Sequence, residues 1–293
     1  MTRTWDAPGR GVSHRASPAT GKSPGLYVVS TPIGHARDVS LRALDVLADA
    51  DLIAAEDTRV TAKLLAIYGI AKPLTAYNDH NAARERPKLL AKLMQGARVA
   101  LVSDAGTPLI SDPGYKLVRE ALAAGIAVQA IPGASAPLAA LASAGLPTNR
   151  FLFAGFLPAK SGERRRVLEE LKALRATLVF FEAPQRLAES LADMAEIFGP
   201  RPAVVARELT KLHEEIKRGD LVALAREYPA PPKGEIVVLV APAEAAGPDW
   251  LRIERALDKA LDFMPLSAAV DLVAEMLQAP RREVYARALA KKR

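Results

Sequence analysis

RVALVSDAGTPLISDPGYKLVREALAAG, residues 98–125, is the stretch on which the architecture turns. Val99, Ala100, Leu101 and Val102 form a short apolar run, the pattern of a strand buried on both faces of a parallel sheet. Leu117, Val118 and Leu122 then follow at helical spacing up to Gly125, with Ser111 or Asp112 as the expected cap and Pro113 as the first helical residue. The connecting loop is small and acidic. Asp104, Ala105, Gly106 and Thr107 let backbone approach a ligand closely, and the free amides of the following helix favour an anionic group. Asp104 and Asp112 disfavour a triphosphate, since each repels phosphate by about 1 kcal/mol at about 4 Å in water and about 4 kcal/mol at an effective dielectric near 20. A ligand with cationic and anionic ends fits better, and S-adenosylmethionine, with its sulfonium, ammonium, carboxylate and ribose diol, is one. A plain strand-to-helix turn uses the same residue types, so other loops must be weighed with this one.

The same alternation extends outward in both directions. Upstream, 26–30 reads as a strand, followed by Thr31-Pro32-Ile33-Gly34 and a helix capped by Ser40. Residues 51–55 read as a second strand ending in Glu56-Asp57-Thr58-Arg59, 73–77 as a third, and 84–95 as a helix. Downstream, the strand 126–131 leads through Pro132-Gly133-Ala134-Ser135 into an Ala/Leu helix ending near Gly145. The pattern predicts a mostly parallel sheet with helices on both faces and ligands beyond the carboxyl ends of its strands. Three Gly/Pro loops fall at such ends, and no G-x-G-x-x-G follows the first strand, which disfavours an ordinary dinucleotide site.

The breaker cluster 145–149 predicts a linker. Beyond it come strand 151–156, helix 161–174, strand 177–181, helix 185–198, strand 203–206, a helix near 220–226 and strand 236–240. The fold class is therefore α/β: an N-terminal cofactor-binding lobe over 25–146 and a second, mixed lobe over 147–243. Residues 247–293 read as a helical, helix-turn-helix-like region with a basic end, either an RNA-facing unit or a solvated cap. Residues 1–24, rich in Gly, Ser, Pro and Thr, read as a disordered basic tail.

The chain has 293 residues, half of them hydrophobic, a formal net charge of +7, no cysteine and four histidines. It can bury two ordinary cores. Its basic balance allows a polyanionic partner such as RNA without requiring one. Without cysteine there are no disulfides or thiolate ligands, and no metal site is expected. No apolar run reaches the roughly 18 residues of a membrane span and no signal peptide is legible, so a cytoplasmic location is expected.

Seven blocks carry a resemblance: VSTPIGHARD at 29–38, EDTRVTAKLL at 56–65, SDAGTPLISDPG at 103–114, IPGASA at 131–136, GLPTNRFLFAGFLPAKSGERR at 145–165, ARELTKLHEE at 206–215 and KGEIVVLV at 233–240. Together, spanning roughly residues 25–290, they resemble the small-subunit ribosomal RNA methyltransferases of the tetrapyrrole methylase superfamily. The resemblance implies 2′-O-methylation of a cytidine ribose in the decoding region of 16S rRNA, S-adenosylmethionine held between two α/β lobes, and a homodimer. One departure is visible: Ala82 follows His80-Asn81 where the family commonly has an acidic residue, so position 82 is given no catalytic role.

The expected cofactor contacts are Ile33, Gly34, Asp104, Ala105, Gly106, Thr107, Ile110, Ser111, Asp112 and Ser135, closed over by Ala154, Ala183, Leu209, Gly234 and Ile236. Asp57, Arg59, Glu208 and Lys211 are the catalytic candidates, because a ribose hydroxyl must lose a proton or have its developing charge stabilised. Glu182 and Arg186 are a further candidate pair at i, i+4, a spacing more often found in a surface helix contact than in a site. Lys160, Arg164, Arg165 and Arg166 form a basic cluster suited to RNA phosphate. A same-fold methyltransferase acting on a tetrapyrrole or protein, and a non-catalytic RNA-binding factor, remain alternatives.

Overall fold

The computed structural model describes residues 23–110, 114–244 and 249–291. Its contacts divide the chain after Pro242 into two units. Of the tail read as 1–24, positions 1–22 lie outside the described residues, as do Ser111, Asp112 and Pro113.

The first sheet holds β1 (Gly25–Val29), β2 (Leu52–Ala55), β3 (Leu74–Ala76), β4 (Arg98–Val102) and β5 (Val128–Ile131), in the order β3-β2-β4-β1-β5. Every pairing is parallel. Crossover helices α1 (Leu41–Asp49), α2 (Thr58–Ile67), α3 (Ala82–Met94) and α4 (Tyr115–Ala123) join them. The apolar run of β4 is continuous because both its faces are covered: Ala100 and Val102 pack with Val46, Leu47 and Leu65, while Val99 and Leu101 pack with Leu89, Leu93 and Leu117. Ser40 caps α1 by accepting the Ala43 N–H at 3.1 Å. The start of α4 differs from the expected one. The helix begins at Tyr115 behind Gly114, whose φ of +138° favours glycine, so the cap falls to Gly114 and not to Ser111 or Asp112.

The second sheet holds β6 (Phe151–Phe156), β7 (Thr177–Glu182), β8 (Pro202–Arg207), β9 (Glu215–Asp220) and β10 (Ile236–Val240), ordered β6-β7-β10-β8-β9, with only β6 and β7 parallel. Sequence patterning missed β9. Its EIKRGD is polar because it is an edge strand, held by its ladder to β8 and shielded by charge from further pairing. Helices α6 (Ser161–Leu171), α7 (Leu187–Phe198) and α8 (Leu221–Arg226) bury Leu168, Leu191, Met194 and Leu224 against one face. The other face receives α5 (Ala136–Ala144), whose Ala140, Leu141 and Ala144 pack on Val179, Val204, Val237 and Leu239. Read from sequence as the last helix of the first lobe, α5 thus ties the two sheets into one unit. Arg218 reinforces it by donating to the Ser143 and Ala144 carbonyls at 2.5 and 3.1 Å.

The basic cluster on α6 is not uniform. Arg164 is 1% exposed, its Nε donates to Asp193 Oδ2 at 2.6 Å and its Nη1 to the Ala159 carbonyl at 3.1 Å. Ser161 Oγ adds a bond to the same carboxylate at 3.1 Å. Arg164 therefore staples α6 to α7 and is unavailable to phosphate, which corrects its assignment as an RNA contact. Arg165 is ion-paired with Glu196; Lys160 and Arg166 are exposed, and Lys160 pairs with Glu163 at 3.5 Å. Removing one partner of a buried pair strands the other charge, so Arg164→Ala is expected to destabilise the protein by about 3–5 kcal/mol, read as a lowered midpoint in urea unfolding.

The second unit contains α9 (Trp250–Leu261), α10 (Leu266–Met276) and α11 (Arg281–Lys291), packed through Ile253, Leu257, Val270, Val273, Val284 and Ala288. Arg287 lies 4.1 Å over the Trp250 ring and pairs with Glu254, so part of the basic end is used internally.

Candidate active site

Because β1, β2, β4 and β5 are parallel, the loops leaving them open on one edge of the first sheet. There they meet the ends of β6, β7 and β10 around a cavity of about 420 Å³. Two walls of different character form it. The first-sheet wall carries Ile33, Glu56, Asp104, Ala105, Gly106, Thr107, Ile110 and Ser135; the second-sheet wall carries Phe156, Phe181, Glu182, Ala183, Leu209, Gly234, Glu235 and Ile236. Pro137, Pro184, Ala136, Ala206 and Val237 complete the lining.

The first wall is pinned by backbone. Thr31 and Gly106 exchange N–H···O bonds of 2.8 and 3.1 Å, and Ser30 Oγ lies 3.0 Å from Thr107 Oγ1, which donates to the Ala134 carbonyl at 3.2 Å. The three Gly/Pro loops are thus mutually fastened. Leu109 in the same loop is held at φ +74°, a strained position of the kind that persists where surrounding contacts impose it.

Two carboxyls stand on this wall. Burial pushes the Glu56 carboxyl up, and the neighbouring charges of Asp104, Asp79 and Asp57 add to this against the Asp104 N–H donated at 3.3 Å. Burial likewise raises Asp104, opposed by the Asp57 N–H at 2.9 Å. Paired acids that are uncomfortable as anions gain most from a nearby cation. The opposite wall offers the faces of Phe156 and Phe181, whose centroids are 5.4 Å apart. One end suits a sulfonium or ammonium group, the other a planar heterocycle.

Glu182, read from sequence as half of a surface pair, is instead fully buried in the second wall. Its oxygens accept the Ser190 hydroxyl at 2.5 Å, the Arg186 guanidinium at 2.8 Å and the Ala183 N–H at 2.8 Å. Arg186 also donates to the Leu157 carbonyl at 3.1 Å, joining the ends of β6 and β7 to α7.

A groove of about 290 Å³ adjoins the cavity and shares Ile33, Asp104, Ala105 and Glu235 with it. Lys211 enters this groove with its Nζ 2.8 Å from Glu208 Oε1 and 3.0 Å from Glu235 Oε2. Burial alone would lower the Lys211 pKa, but the two carboxylates more than offset it and the ammonium is held above its ordinary range. The 208–211 turn is itself constrained, with Glu208 at φ +52° and Thr210 at +65°. Two glycines admit it. A Cβ on Gly34 would stand 2.5 Å from Lys211 Cγ, and one on Gly234, at φ +101°, 2.3 Å from Glu208 Cγ.

Of the expected cofactor contacts, the cavity gathers Ile33, Asp104, Ala105, Gly106, Thr107, Ile110, Ser135, Ala183, Leu209, Gly234 and Ile236. Gly34 lies instead in the groove, making room for Lys211. Ala154 packs against the core of the second sheet and does not line the cavity, since β6 shifts register between Phe153 and Gly155. Ser111 and Asp112 lie outside the described residues. Among the catalytic candidates only Lys211 lines either space. Asp57 caps α2 through the Arg59 N–H at 2.8 Å, and the Arg59 guanidinium holds its carboxyl down to about 2, so this pair is occupied with itself. Glu208 faces Lys211 and the Glu235 N–H. Glu56, Phe156, Phe181 and Glu235 were missed, though an acid directly following a strand, as Glu56 does, was the available signal. Among the described residues no group of His, Cys, Asp and Glu is arranged to hold a metal ion, and no helix is long and apolar enough to cross a membrane.

Residues 25–225 match the family model described as Tetrapyrrole (Corrin/Porphyrin) Methylases, and residues 247–292 the RsmI C-terminal HTH domain. The chain is 54% identical over 275 residues to "Ribosomal RNA small subunit methyltransferase I" of Mesorhizobium japonicum, covering 93% of this chain and 94% of that one. It is 47% identical to the protein of the same name from Pseudomonas aeruginosa, covering 90% and 96%. Among solved structures, uroporphyrin-III-C-methyltransferase from Thermus thermophilus superposes with a TM-score of 0.56 at 23% identity, covering 74% of this chain and 94% of that chain. The methyltransferase CobJ superposes at 0.57 and 23%, covering 77% and 98%. These two likenesses are of fold.

Proposed function

From the tetrapyrrole methylase family, to which this chain belongs, we propose that it is an S-adenosylmethionine-dependent methyltransferase acting on the ribose 2′-hydroxyl of a cytidine in small-subunit ribosomal RNA. The observation that carries the reading is one cavity with the Glu56–Asp104 pair on one wall and Phe156 and Phe181 on the other, in a chain that matches ribosomal RNA methyltransferases along nearly its whole length. A tetrapyrrole or protein acceptor is disfavoured by those relatives.

When bound, S-adenosylmethionine supplies a methyl group made electrophilic by the adjoining sulfonium. Asp104 and Glu56 would face its positive groups, while Phe156, Phe181 and Ala183 would take the adenine. The Glu182 network would hold that wall in place before the cofactor arrives, which limits the ordering cost of binding. Lys211 is an ammonium in this arrangement, so its work is to stabilise charge developing on the acceptor oxygen and not to take up the proton. The carboxylates around it are the available acceptors. The protein is read as a cytoplasmic homodimer whose partner is the small ribosomal subunit or its RNA.

The test is incorporation of labelled methyl groups from S-adenosylmethionine into small subunits from cells lacking this gene, followed by mapping of 2′-O-methylation. One modified cytidine ribose is expected. Methylation of a base or of a precorrin-type acceptor, with none on ribose, would overturn the reading.

A further inference from the structure

The groove beside the cavity has a composition that methyl donor binding does not use. Helix α2 is apolar on two faces. Leu65 packs into the core of the first sheet, whereas Val60, Leu64 and Ile67, spaced by four and three residues, line the groove together with the buried Thr61. Val60 and Ile67 are 40% and 64% exposed. Lys211, Glu235, Asp104, Thr31 and Ser103 line the same groove. Among the described residues that line the groove Lys211 is the one cation, set against the lining carboxylates of Asp104 and Glu235, and it is already paired with Glu235 and with Glu208. Such a slot repels phosphate. It accepts hydrogen bonds from hydroxyl and amino groups, and its aliphatic side takes the face of a flat ring.

We propose that this groove is the acceptor subsite and holds a single nucleoside extruded from its RNA, the base lying on Val60, Leu64 and Ile67 and the sugar hydroxyls turned toward Asp104, Glu235 and Lys211. The proposal rests on the function above and specifies how the substrate is held. A nucleoside has the required asymmetry, an apolar face with donor groups on its edge; the exocyclic amine of cytosine is a donor that carboxylates accept. Extrusion is required because a ribose hydroxyl within a stacked, paired strand cannot enter a slot of this size, and its cost is lowest for a loop or unpaired nucleotide. Continuity supports the assignment, since Ile33, Asp104, Ala105 and Glu235 border both spaces and a hydroxyl bound there lies at the mouth of the donor cavity. The phosphates flanking the nucleoside must then be bound outside the groove.

Val60→Glu and Ile67→Glu test it, because both sites are exposed and neither lines the donor cavity. Each is expected to raise the KM for small subunits at least tenfold while the calorimetric Kd for S-adenosylmethionine and the unfolding midpoint stay at the wild-type values. In a second measurement, a photoreactive benzoylphenylalanine replacing Ile67 is expected to crosslink the methylated nucleotide itself, with or without cofactor. Unchanged KM in both variants, or crosslinks only to distant RNA, would overturn the proposal. So would a change from dimer to monomer in light scattering with KM restored at high protein concentration, which would make α2 a face between two copies of the chain. Failure of the wild-type protein to methylate small subunits at all would instead count against the function on which the proposal rests.

Discussion

Lys211→Met is expected to lower kcat by about 10²–10³-fold, the loss typical when one preorganised donor to a developing oxyanion is removed. Methionine keeps most of the stem that packs against Gly34 and removes only the charge. The ammonium is held at 2.8 and 3.0 Å by Glu208 and Glu235, on a turn whose positive φ values at Glu208 and Thr210 fix where it points. Lys211 does not line the donor cavity, so the calorimetric Kd for S-adenosylmethionine should stay within about twofold of wild type. Single-turnover kinetics would separate this from a defect in product release. A kcat within about threefold of wild type would remove Lys211 from the chemistry.

Asp104→Asn is expected to weaken S-adenosylmethionine binding by about 10–100-fold, corresponding to the roughly 1.5–3 kcal/mol of a hydrogen bond involving a charged group. Asparagine is nearly isosteric and can still accept the Asp57 N–H that Asp104 now accepts at 2.9 Å, so the loop that fastens Thr31 to Gly106 should keep its form. The same charge predicts a pH dependence. Glu56 and Asp104 have raised pKa values, so they protonate at higher pH than free carboxyls as the solution is acidified. The protonated acids no longer attract a cation, so wild-type affinity should fall as the pH is lowered from neutral, starting at a higher pH than ordinary carboxyls would set, and the fall should be shallower in Asp104→Asn. An affinity that does not change on acidification would show that these carboxyls do not face the cofactor's positive groups.

Much of the first wall was legible without coordinates. Asp104 to Thr107, Ile33 and Ser135 lie in loops of small residues, and such loops must follow parallel strands where helices start. The second wall was less so. Phe156 and Phe181 have the same apolar spacing as any buried strand, and nothing local distinguishes a residue facing a cavity from one facing a core. Glu182 reads as helix-surface chemistry because Arg186 lies four residues on, but the chain is still a strand at Glu182, and the buried hydroxyl that completes the site comes from Ser190 on α7. Arg164 was misread for a related reason. Its neighbours Arg165 and Arg166 make the segment look like a solvated face, while the carboxylate that buries it, Asp193, lies on a different helix.

Periodicity and turn chemistry, which are local, were therefore enough to determine the alternating α/β architecture, the parallel first sheet and the edge on which the cavity opens. The positions of long side chains depend on partners distant in the chain. Only the tertiary structure decided that α5 packs under the second sheet, that Gly34 and Gly234 make room for Lys211 and Glu208, and that two carboxyls face an aromatic wall. Burial and charge pairing are properties of the packed state, and no spacing in the chain encodes them by itself.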